Sequence, residues 1–335
     1  MKKAGVILIG VVVLSTLAAG QTAGDGTFKL ALVDHQGQLS WSAEGFKIIQ
    51  SSAKPGGREI GIRGRDQSGH LTFLGFMFLV PEQAPLTSAK CRDGAVEPIR
   101  KSDPKSKIIE TMEKPAPNSL PIAMASYAAQ GRDGKMVYSV RGFIATGDIC
   151  GDLETYSDSP ISADDGVTKK IFASYRFDEN YSPQFDDLFL YAQVLYQERL
   201  YKAAAPVFEA SLMKLKDSPN KPTRLAGDAK TTRRVVIDQA GMTYGMSGDI
   251  TKARSLFEQA IVEDPDYPLN YYNLACADAE EKNLKDARTH LQQAFARKAN
   301  VIPGEAMPDP TKDDSFLPYR DDKEFWAFLE SLQPK

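Results

Sequence analysis

What most constrains this 335-residue chain is a spacing of 34 that recurs in its C-terminal part. Gly241, Ala253, Phe257 and Ala260 are followed 34 positions later by Ala275, Ala287, Leu291 and Ala294, and Ala240 by Leu274. Small residues at fixed points let two helices cross closely, and a large apolar residue fills the gap between them. A unit of that length cannot bury its apolar face alone, so copies must stack. Antiparallel helix pairs are therefore expected at about 185–218, 234–267 and 268–301. Leu188, Tyr191, Ala192, Leu195, Ala204 and Phe208 take the matching positions in the first copy. Some 15 extra residues, including Ser218-Pro219-Asn220-Lys221-Pro222, separate it from the second. Beyond Asn300, Ile302-Pro303-Gly304 and Pro308-Asp309-Pro310 force irregular chain. A last helix is expected at about 321–333, with Asp321 and Asp322 at its N-terminus and Phe325, Phe328, Leu329 and Leu332 on one face. It would cap the stack, whose final apolar face would otherwise be wet.

Over about 185–301 these residues resemble the tetratricopeptide repeat (TPR) family. The resemblance implies an all-α solenoid in which the first helix of each pair lines a concave groove. The groove positions would be Asp186, Phe189, Gln193 and Tyr196, then Asp238, Met242 and Met246, then Tyr272, Asn273 and Cys276. Of the side chains with which such grooves clamp a terminal carboxylate, only Asn273 is in place. An aromatic, thioether-rich, mildly acidic groove suits an apolar helix or extended peptide with basic flanks. The alternative is that Phe189, Met242 and Tyr272 simply pack inside the protein.

Residues 26–180 punctuate differently. Segments 28–33 and 38–41, 58–65 and 70–80, and 121–130 and 135–146 are each joined by loops carrying Gly and Asp, which are hairpin signals. An α+β domain is expected, with an antiparallel sheet ending in a strand around 148–156. A helix at about 163–174 would cover it, opened by Ser162 and Asp165 and facing inward with Val167, Ile171 and Tyr175. Leu71 to Val80 is apolar on both faces, so both need covering. Pro81 to Asn118, rich in Pro, Lys, Asp and Ser, reads as exposed loop with one edge strand at 107–112.

Lys2 and Lys3, an apolar run from Ala4 to Leu14 and small residues up to Gly20 read as a secretory signal peptide, with cleavage after Gly20. Retention as an anchor is the alternative. The mature chain is expected to be periplasmic or secreted and to span no membrane. Export favours a disulfide between Cys91 and Cys150, the alternative being three free thiols with Cys276 in a repeat helix.

With 41 basic and 44 acidic residues and no basic cluster interleaved with aromatics, nucleic acid is not an expected partner. Three Cys without CxxC spacing and three His without ligand spacing imply no metal, and no cofactor motif is present. His290 reads as a solvated surface residue. No catalytic residue is assigned and the chain is not expected to be an enzyme. The leading expectation is an exported scaffold that binds a protein or peptide. The alternative gives residues 26–180 the function, as a small-ligand or lipid-binding module or a hydrolase without a local signature, with the repeats as scaffold.

Overall fold

A computed structural model describes residues 26–83, 85–103, 107–113, 119–131, 134–217 and 228–332. The expected signal peptide lies outside the described residues. Two compact units divide after Glu198.

In the first unit the three expected hairpins form, and two strands that were not expected, at Lys47–Lys54 and Arg176–Asp178, join them. The main sheet comprises β3 (Lys47–Lys54), β4 (Glu59–Arg65), β5 (Thr72–Leu79), β6 (Ile109–Glu113), β7 (Ile122–Gln130), β8 (Met136–Thr146) and β9 (Ile149–Ser157). Its seven strands run in the order β3-β4-β5-β9-β8-β7-β6, every pair antiparallel. A second sheet pairs β1 (Thr27–Leu30), β2 (Gln38–Ser42) and β10 (Arg176–Asp178) around β2. Phe28, Trp41 and Phe46 pack on Phe73 of β5, with ring centroids 4.7, 5.4 and 5.5 Å away. Gly75 makes this stacking possible, because a Cβ there would meet the Trp41 ring at 2.3 Å. Phe73 and Met77 are thus sealed on one side of β5, as a doubly apolar strand requires.

Helix α1 (Ser88–Ser102) covers the other side of the sheet and occupies part of the stretch expected to be exposed loop. Its composition hides it, since Gly94 and Pro98 lie inside it and only Ser88, Cys91 and Val96 are buried. Tertiary contacts hold it instead. Thr87 caps it, accepting from the Lys90 N–H at 3.2 Å. Ser88 donates to the Pro121 carbonyl at 2.6 Å and accepts from the Ala145 N–H at 3.1 Å. The Cys91–Cys150 disulfide ties it to β9, with Leu86, Ala123, Phe143 and Ala145 packed around the sulfurs.

The expected covering helix, α2 (Gly166–Ser174), begins three residues late. Asp165 rather than Ser162 is its N-cap, and the Ser162 N–H donates to the Asp165 carboxylate at 2.6 Å. Ile171 and Tyr175 face inward as expected, but Val167 is 51 % exposed and Thr168 and Phe172 are buried in its place. One polar network crosses the α1 side of the sheet. Arg141 pairs with Asp152, its Nε lies 3.9 Å from Glu154, and the Tyr127 hydroxyl donates to Glu154 at 3.3 Å.

Helix α3 (Phe185–Gln197), expected to open the first repeat, belongs to this unit. Its Tyr191 hydroxyl reaches the carbonyls of Lys54 and Glu59 at the β3–β4 turn, which fixes the helix to the sheet.

The second unit contains α4 (Tyr201–Asp217), α5 (Ala229–Ser247), α6 (Ile250–Glu263), α7 (Pro268–Glu280), α8 (Leu284–Ala296) and α9 (Lys323–Ser331). Pairs α5/α6 and α7/α8 are the second and third expected copies. Ala240, Gly241, Ala253, Phe257 and Ala260 are buried in the first of these pairs, and Ala275, Ala287, Leu291 and Ala294 in the other. Asp228, Asp249, Asn283 and Asp322 cap α5, α6, α8 and α9, each accepting a backbone N–H from the first turn. Phe325, Phe328 and Leu329 of α9 share a cluster with Tyr272, Ala275, Ala287 and Leu291, so the last helix caps the stack as expected.

Candidate partner-binding surface

In the second unit the expected groove positions lie on α5 and α7. Asn273 donates to Asp238 at 2.5 Å, linking the two helices. Burial, reinforced by nearby Glu305, pushes the Asp238 carboxyl up to about 7 although the Asn273 bond pulls the other way. Met242 and Met246 follow Asp238 at helical spacing on α5 and are half-buried.

Tyr272 and Cys276 are closed over by the protein's own chain. The segment between α8 and α9 runs across them, and the Tyr272 hydroxyl donates to Asp313 at 2.9 Å. The Cys276 thiol lies 3.7 Å from the same carboxylate, and Phe316 meets the Tyr272 ring edge-on at 6.1 Å. Further along, Tyr319 donates to the Ala279 carbonyl at 2.5 Å, and Tyr267 at the start of α7 donates to Glu305 at 3.0 Å. Tyr272 is only 1 % exposed, Asp313 1 % and Phe316 0 %. Burial raises the Tyr272 hydroxyl and the Cys276 thiol well above their ordinary values, and the Asp313 charge adds to both. Tyr272 is therefore an internal packing residue and not a surface anchor.

In the first unit, Phe189 and Gln193 of α3 are each 4 % exposed, and Phe189 stacks on Phe185 at 5.4 Å. Both are interior, against the expectation that they face a partner. Asp186 and Tyr196 are half-buried.

A buried ionic contact joins the second and third copies, and spacing alone did not reveal it. Asp278, 34 positions after Tyr244, is fully buried and accepts from Arg254 at 2.7 Å. His290 Nδ1 lies 2.6 Å from the same carboxylate. His290 is thus a partner of a buried acid and not the solvated residue expected. The departure of Asp278 from the aromatic at the matching site was the available signal, because an acid there requires a cation.

Among the described residues no group of three or more His, Cys, Asp or Glu is placed to hold a metal ion, and no helix is long and apolar enough to cross a membrane.

The tetratricopeptide repeat family profile matches residues 246–303. No curated protein matches the chain. Among solved structures, the Sgt2 TPR domain from Aspergillus fumigatus is similar at 17 % identity and a TM-score of 0.30, covering 45 % of this chain and 78 % of that one. PcrH from Pseudomonas aeruginosa is similar at 16 % identity and a TM-score of 0.29, covering 44 % of this chain and 90 % of that one. The Yersinia enterocolitica type III secretion chaperone SycD, in complex with a peptide of the translocator YopD, is similar at 17 % identity and 0.29, covering 43 % and 88 %.

Proposed function

We propose, for a chain whose residues 246–303 match the tetratricopeptide repeat family, that it is an exported, non-enzymatic scaffold which binds a protein partner through the inner face of α5. The observation that carries this is the contrast between neighbouring inner helices. α7 is covered by the protein's own residues 305–319, whereas Met242 and Met246 keep part of their thioether side chains at the surface. Flexible, polarisable Met side chains adapt to an apolar partner segment. Basic flanks on that segment would suit the acidic groups nearby, Asp238 and Glu305.

Export is part of the same proposal. The Cys91–Cys150 disulfide supports an oxidising compartment, as does the reading of residues 1–20 as a signal peptide cleaved after Gly20.

The test is a cross-linking capture from native envelope extract with the mature protein and a Met242→Glu/Met246→Glu variant in parallel. Both side chains are half-exposed, so the variant should keep the parent's far-UV circular dichroism melt and lose the partner. Equal capture by the two proteins would refute the assignment to α5. Intact mass of the exported protein tests the leader, and a mass still including residues 1–20 would refute cleavage.

A further inference from the structure

A cavity of about 540 Å³ opens between the ends of four helices in the second unit, away from Met242 and Met246. Its floor is apolar, formed by Leu215 at the end of α4, Ile237 on α5 and Ala260 on α6, all nearly buried. One polar group interrupts that floor. Asn270, near the start of α7, is 2 % exposed, and among the described residues no donor reaches its Oδ1. A buried acceptor left unmet costs about 1–3 kcal/mol, so an orphan of this kind in a native fold calls for a donor from elsewhere.

The rim is cationic. Lys216, Lys230, Arg233 and Arg234 stand against Glu263 and Asp264 and against Asp228, the α5 N-cap beside Lys230 and Arg234, an excess of one positive charge in a chain whose net charge is −3. Arg233 pairs with Glu263, while Asp264 takes Arg234 at 2.6 Å and Lys230 at 3.1 Å. Burial alone would raise both carboxyls, but these cations hold them below their ordinary values, so both acids are fully ionised and already engaged. Lys230, Arg233 and Arg234 are each paired with one of these acids, whereas Lys216 enters no ion pair among the described residues and is the cation left over at this rim.

We infer that this cavity is a binding site for a small organic anion: an apolar ring or branched body on Leu215, Ile237 and Ala260, an O–H or N–H donor at its inner end reaching Asn270, and an acid group at the rim near Lys216 and Lys230. The volume lies in the range of small-molecule pockets, and a mostly apolar cavity with few convergent polar groups is the usual form of such sites. A water could satisfy Asn270, but it would not account for the excess of positive charge at the mouth.

Titration calorimetry on the full chain tests this with 4-hydroxyphenylacetate, phenylacetate and tyramine. The first has donor and acid, the second lacks the donor and the third reverses the charge. Saturable one-to-one binding of 4-hydroxyphenylacetate is expected, roughly tenfold weaker binding of phenylacetate, and none of tyramine. Lys216→Glu/Lys230→Glu, both on exposed side chains, should abolish binding. Asn270→Leu should erase the preference between the two acids, with its melt checking that the fold survives. The Met242→Glu/Met246→Glu variant should bind as the parent does, which separates this site from the partner surface. Indifference to the lysine substitutions, equal binding of all three probes, or no binding up to about 10 mM would overturn the inference.

Discussion

Replacing Gly241 by Ala sets two opposed effects against each other at the crossing of α5 and α6. In a helix interior Ala is favoured over Gly by about 1 kcal/mol, so propensity alone makes the substitution stabilising. The packing opposes this, because a Cβ on Gly241 would lie 2.2, 2.6 and 2.7 Å from three atoms of the Phe257 ring. Carbon atoms rest at about 3.5–4 Å, so the ring would have to retreat by about 1 Å or more. Phe257 is 2 % exposed and flanked by Ala253 and Ala260, which leaves it little room. Overpacking of this kind costs about 1–3 kcal/mol, so Gly241→Ala should destabilise the second unit by roughly 1–2 kcal/mol net. The third copy of the repeat shows the remedy. Ala275 stands where Gly241 does, and it faces Leu291 in place of a Phe. Phe257→Leu alone should cost about 1 kcal/mol through the space it leaves, but combined with Gly241→Ala it should recover most of the loss. Urea denaturation followed by circular dichroism would give a coupling of about 1 kcal/mol or more in this cycle. Additive single effects, or a Gly241→Ala protein more stable than the parent, would refute the account of the crossing.

Asp238 predicts a pH dependence. Its folded pKa, about 7, lies above the ordinary 3.8, so its contribution is fully present below about pH 4 and is lost as pH rises through 7. Asp238→Asn should remove that slope and stabilise the second unit at pH 7 by about 1–3 kcal/mol, read from denaturation at several pH values. Phe316→Ala should cost about 3–5 kcal/mol and lift the chain from α7, so that Cys276, slow toward a thiol reagent in the parent, reacts much faster. Reducing Cys91–Cys150, which spans 59 residues, should lower the stability of the first unit by about 4 kcal/mol and leave the melt of the repeats in place. Lys282, at the α7–α8 turn with φ +65°, sits in the left-handed region. Lys282→Gly should therefore stabilise by about 0.5–1 kcal/mol in a thermal melt, and a loss would refute strain at that turn.

The amino-acid sequence by itself determined whatever depends on residues near one another along the chain. The 34-residue spacing placed α5 to α8, because each helix pair repeats the same local packing problem. Loops with Gly and Asp placed the hairpins, since Gly69 and Gly134 adopt φ +78° and +81°, which few other residues tolerate. Cys91 and Cys150 stood out as a pair. Tertiary structure alone decided the rest. Helix α1 carries few apolar residues, contains Gly94 and Pro98, and depends on its disulfide and on Ser88, which bonds to chain 33 and 57 residues away. Helix α3 carries the repeat's apolar positions, yet Tyr191 commits it to carbonyls more than 130 residues distant. The candidate surface divided in the same way. Helical spacing put Asp238, Met242, Tyr272 and Asn273 on inner faces, but aperiodic chain from 305 to 319 closes over α7 through the bonds of Tyr272 to Asp313 and of Tyr319 to Ala279, which span 41 and 40 residues. The cavity around Asn270 likewise exists only where the ends of four helices meet. Periodicity records what a residue must do for its own helix, whereas the choice of partner is made between segments whose separation leaves no local trace.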